Sequence, residues 1–161
     1  MSYNQKEELL FLINAAFENV ELDGGVSYLH AESLDMFEDD YDKSISNPLN
    51  EKRNWKSLIN YHDFKKGDGV FSFYDSIGLR FYLPVYLTIA VLNPKEETVD
   101  SLLYTLTNKD DKRFEILNKQ QCKCIHRVLQ FIRFNSGYEH EFSWGDIDNS
   151  LSVWKNKITG Q

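Results

Sequence analysis

Cysteine is nearly missing from this sequence. The two that occur, Cys122 and Cys124, stand two positions apart, which excludes a disulfide framework. Basic charge is also short: 18 Lys and Arg face 25 Asp and Glu, for a net charge of −7 and an isoelectric point near 5.1. Binding a phosphate backbone wants a basic surface, so nucleic acid is excluded as the main partner. The same imbalance suits a basic protein. No apolar run reaches the about 20 residues that a membrane span needs. The longest, Ser76 to Leu92, falls short and carries the charge of Arg80. The opening Met1-Ser2-Tyr3-Asn4 lacks a charged-then-apolar export pattern, so a cytoplasmic location is expected. There is no glycine loop to cradle phosphate, no nucleophile placed beside a base and no metal-ligand set. No cofactor is therefore expected, and the chain does not read as an enzyme.

What is present is a globular chain. Its 161 residues, 42% apolar and 27% charged, fit one domain with a real core, and 14% aromatic content argues against disorder. The stretch Ser76 to Leu92, SIGLRFYLPVYLTIAVL, is the candidate central buried element. Pro84 inside it removes a helix hydrogen bond, so the sequence predicts a helical turn over Ser76–Phe81, a bend, and a helix over Leu83–Leu92. Asn93-Pro94 ends it. Val70–Tyr74, β-branched and aromatic after Gly67-Asp68-Gly69, predicts a short strand. Arg80 has two readings: a structural Arg bonded to a carboxylate or to helix-end carbonyls, or a contact to a ligand or partner.

The remaining elements are amphipathic helices. Asn4 with Glu7 reads as a capping box before a helix that buries Leu9, Ile13, Ala16, Phe17 and Val20. Asn54 is a candidate cap for a short helix carrying Trp55, Leu58 and Ile59, with Trp55 a core anchor. Pro94-Lys95-Glu96-Glu97 suits the first turn of a helix with Val99, Leu102, Leu103 and Leu106 on its apolar stripe. Asn118 and Gln121 form a capping box, and Leu117 with Cys122 a hydrophobic staple, for a helix reaching Phe134. That helix carries Lys119, Lys123 and Arg127 at four-residue spacing, read as a solvated face or a match for the acidic segment. Ser143 with Asp146 predicts a last helix, running to Lys157 and docked through Ile147, Leu151 and Trp154.

The acidic segment is Tyr28 to Asp42, with a short helix expected over Ser27–Phe37. Glu32, Asp35, Glu38, Asp39, Asp40 and Asp42 crowd there, and Tyr28, Phe37 and Tyr41 are aromatic anchors for a bound partner. Asp40-x-Asp42-x-Ser44-x-Ser46 with Glu51 imitates a calcium loop, but Ile45 stands where the turn needs glycine. Cys122, Cys124 and His126 imitate metal spacing, yet neighbours two apart on a helix point to nearly opposite sides. The rival to partner binding is a pocket lined by Arg80, Tyr82, Tyr86 and His62.

Three blocks in fixed order carry a resemblance: N-W-K-S-L around Trp55, G-L-R-F-Y-L-P-V-Y-L around Arg80 and Pro84, and L-N-K-Q-Q…L-Q-F-I around Gln121 and Phe131. Over Phe17 to Phe134 the chain resembles a family of small, acidic, uncharacterised bacterial proteins with an R-F-Y-L-P core block. The resemblance implies an immunity-type or other partner-binding protein, with no activity to carry over. The expected fold is mainly α: one orthogonal bundle of five to seven helices, with room for a small strand pair near Val70–Tyr74. The expected function is non-enzymatic, most concretely the neutralising of a basic toxin by the acidic surface.

Overall fold

In the computed structural model, described over residues 3–37, 46–67, 69–108, 110–136 and 147–160, amphipathic helices gather around one apolar helix. Its α-helices are α1 (Tyr3–Ala16), α2 (Tyr28–Asp35), α3 (Ser76–Leu92), α4 (Thr98–Thr107), α5 (Lys119–Asn135) and α6 (Ile147–Thr159). Short 3-10 turns lie between α2 and α3 and between α4 and α5, and no strand occurs among the described residues.

Helix α3 is the centre, as its composition predicts, and it packs against α1, α4 and α5. Residues 81–91 are buried without a break. The expected break is absent: α3 is one continuous helix through Pro84. An interior proline costs about 3 kcal/mol. Burying one large apolar side chain returns about 1.5–3 kcal/mol, and this helix buries several, so packing overrides the break.

The expected strand is a 3-10 turn, Val70–Ser72. Phe71 and Tyr74 are both buried while Ser72 is exposed. That three-residue spacing matches a turn in which side chains eclipse every third position, not the alternation of a strand. Trp55–Leu58 is likewise 3-10, and the Asn54 side chain makes no cap bond. Asn4 lies inside α1, whose first residue is Tyr3, and does not cap it. Helix α4 begins at Thr98; Pro94–Glu97 precede it as a turn that Asn93 ties to Glu96. The box of Asn118 and Gln121 at α5 is present in both directions. Ser143 and Asp146 lie outside the described residues.

Buried N–H donors close the helix ends. The Trp55 indole donates to the Phe17 carbonyl at 2.9 Å, Gln121 Nε2 to Ala16 at 3.2 Å and the Trp154 indole to Leu106 at 2.9 Å. Carbonyls at a helix C-terminus have no partner within the helix, so each bond removes a desolvation cost. Trp55 and Trp154 are thus core residues, as expected.

An arginine the sequence did not single out carries the main internal ion pair. Arg113 Nη2 lies 2.6 Å from Asp111 Oδ2, and Nη1 donates to the carbonyls of Phe71 at 2.5 Å and Tyr74 at 3.0 Å. Burial pushes the Asp111 carboxyl up, but the Arg113 bonds and charge outweigh it and hold the group below its ordinary value. A lowered native value means the pair stabilises fully above the ordinary carboxylate range and fades as pH falls through the lowered one. Asp111→Asn should therefore cost about 2 kcal/mol at pH 7, and the gap to wild type should close on acidification. Urea midpoints at both ends of that range decide it; a gap that widens in acid contradicts the pair.

Candidate partner-binding surface

The candidate surface is the C-terminal end of α2, and side chains of α3 set its position. The Asp75 carboxylate caps α3 by accepting the Gly78 N–H at 2.7 Å and also takes the Val26 N–H at 3.0 Å. Tyr82 Oη accepts the Tyr28 N–H at 2.8 Å. Ser27 caps α2 by accepting from the His30 N–H. One turn of α2 is thereby fastened to the central helix, with Ala31 and Ser33 buried beneath it.

This fastening corrects one site residue. Tyr28 is fully buried and packs its ring 4.6 Å from Phe64, so it cannot offer an aromatic face to a partner. It belongs to a cluster with Phe64, Phe71, Tyr74, Tyr82 and Tyr86, where the hydroxyls of Tyr74 and Tyr86 lie 3.0 Å apart. Burial, with Tyr86 and Tyr82 adding, pushes the Tyr74 phenol well above its ordinary value. Burial does the same to Tyr82.

Beyond that anchored turn the helix opens to solvent. Met36 is 65% and Phe37 94% exposed, and Leu34 is exposed beside them. Phe37 has φ +57°, the left-handed conformation that a non-glycine residue adopts rarely and that turns the chain away from the helix axis. Glu32 and Asp35 flank this apolar end, half-buried. Glu32 accepts a long 3.4 Å bond from the Tyr28 hydroxyl, and Asp35 lies against Gly69. Neither joins an ion pair among the described residues, where the pairs are Lys66–Asp63, Arg113–Asp111 and Arg133–Asp148. Glu38, Asp39, Asp40, Tyr41 and Asp42 lie outside the described residues.

The rival pocket is not assembled. Tyr82 and Tyr86 sit in the aromatic core, His62 is exposed in a separate turn, and Arg80 lies across the helix from Tyr82, about 200° around its axis. Arg80 is half-buried, and its Nε has no hydrogen-bond partner. Pro84, four residues on, has no N–H to give the Arg80 carbonyl. The structural reading of Arg80 as bonded to a carboxylate or a carbonyl is therefore corrected: its side chain makes no such bond among the described residues.

Cys122 and Cys124 are free and buried. Burial pushes the Cys124 thiol up to about 12 and raises Cys122 as well, which keeps both protonated at neutral pH. Burial, then Lys155 and Arg127, lower the value of His126. No group of three or more His, Cys, Asp or Glu is placed to hold a metal among the described residues. No helix there is long and apolar enough to cross a membrane.

No curated protein and no solved structure matches this chain. The model of a family of unknown function, DUF6714, matches residues 5–158.

Proposed function

We propose, for a chain that belongs to the family of unknown function DUF6714, a non-enzymatic role: binding a basic protein through the acidic end of α2. The most concrete form is an immunity protein of a bacterial cytoplasm that covers the cleft of a basic toxin such as a nuclease. The observation that carries this reading is Phe37, 94% exposed past the end of α2, whose Glu32 and Asp35 join no ion pair among the described residues. An exposed aromatic beside acids that no cation neutralises among the described residues combines the two ingredients of a steered, anchored interface. Glu32 and Asp35, with Glu38, Asp39, Asp40 and Asp42 next in the sequence, speed the encounter with a positive surface. Phe37, with Tyr41, fills a pocket and slows release.

The test uses the partner captured from the source cell on the tagged chain, followed by stopped-flow association. The captured protein should be basic. Glu32→Lys with Asp35→Lys should slow association about tenfold at low salt, and salt should erase the difference. Phe37→Ala should act on dissociation instead. An association rate untouched by the charge reversal would remove this reading.

A further inference from the structure

Helix α5 carries no carboxylate, in a chain where acids outnumber bases. Lys119, Lys123 and Arg127 recur every four residues on its exposed side, spanning about 12 Å at 1.5 Å rise per residue. Continuing along that side, the stripe ends at Phe134, 67% exposed. Helix α6 packs along α5 and adds the exposed Lys155, close enough to influence His126. Arg133 is paired, by Asp148, but Lys119, Lys123, Arg127 and Lys155 make no hydrogen bond or ion pair among the described residues. The sequence allowed this stripe to meet the acidic segment inside the fold. Instead α2 packs on the turns at Pro48–Asn50 and Val70–Ser72, and no ion pair joins α2 to α5 among the described residues.

The described residues therefore display a basic patch and an acidic patch without ion-pair partners, each next to an exposed phenylalanine. We propose that the α5 stripe is the docking face for the acidic α2 end of a second copy of this chain. Lys119, Lys123 and Arg127 of one copy meet Glu32 and Asp35 of the next, with Phe37 and Phe134 covered in the contact. The contact is either reciprocal, each copy's α2 end on the other's α5 stripe in a two-fold dimer, or head-to-tail, where assembly grows with concentration unless the rotation closes a ring. It does not depend on the toxin reading, since the complementary charge is on the chain itself. Where both hold, self-association and partner binding compete for the α2 end.

Sedimentation velocity of the full chain tests it, over a wide concentration range, in about 20 mM and about 500 mM salt. The mean mass should climb with concentration at low salt only. Lys119→Glu/Lys123→Glu/Arg127→Glu and, separately, Glu32→Lys/Asp35→Lys should each weaken self-association about tenfold or more. Mixing the two reversed proteins should restore it, which a merely unfolded variant could not do. A chain that stays monomeric at low salt, or associates equally after reversal, overturns the proposal. So does a monomer whose α5 stripe instead takes up an oligonucleotide or another acidic protein.

Discussion

Gly78→Ala should destabilise the protein by about 2–3 kcal/mol, although alanine is the better helix former by about 1 kcal/mol. The two effects have opposite sign, and the surroundings decide between them. Gly78 lies in the first turn of α3, where the loop before α2 crosses it at backbone distance. A Cβ there would overlap the Val26 carbonyl oxygen and stand 3.0 Å from Asp75 Oδ1. The obstacle is backbone on one side and a capping carboxylate on the other, so no flexible side chain can swing away. The approach is mutual: a Cβ on Gly25 would come within 2.7 Å of the Gly78 nitrogen. Neither glycine has a positive φ, so the requirement is space and not backbone conformation. Moving the loop back would break the Asp75 bond to Val26 and then the Tyr82 bond to Tyr28. Thermal and urea unfolding read the result directly. A raised melting temperature would show that helix propensity wins and that the crossing is looser than described.

Trp154→Ala should cost about 3–5 kcal/mol, a large part of the 5–15 kcal/mol that holds a domain of this kind together. Trp154 is completely buried, meets the Phe114 ring edge-on at 5.0 Å and gives its indole N–H to the last turn of α4. Truncation removes ring burial and leaves the Leu106 carbonyl without its donor. Trp154→Phe separates the two contributions, since it keeps most of the ring contact and loses only the N–H; about 1–2 kcal/mol is expected. Urea midpoints for both variants should fall in that order. If neither moves, α6 is not part of the cooperative unit.

Where the sequence could be read, it was because one residue type had one physical use. The central apolar stretch, the capping box of Asn118 and Gln121 and the two core tryptophans are of that kind. Pro84 was legible as a helix breaker only locally; the burial that overrides it comes from α1, α4 and α5, which no window around residue 84 contains. Val70–Tyr74 misleads for a related reason: β-branched and aromatic content favours a strand, yet the described residues hold no strand for it to pair with. The i, i+3 spacing of Phe71 and Tyr74 was the better signal. In the candidate surface, counting carboxylates found the acidic end of α2 but could not say which aromatic faces out. Tyr28 and Ala31 share an inward face at three-residue spacing, whereas Phe37 lies past the helix end. Arg113 went unnoticed because its bonds to Phe71 and Tyr74 span about forty positions of chain; the local clue was Asp111 two residues before it.

The amides of Val26, Gly78 and Tyr28 are held by a carboxylate and a phenol, not by another backbone group. Their deuterium uptake therefore reports the attachment of α2 to the central helix and not the melting of a regular ladder. If a partner seated on Phe37 tightens α2 onto the central helix, slower isotope exchange at these three amides would show it.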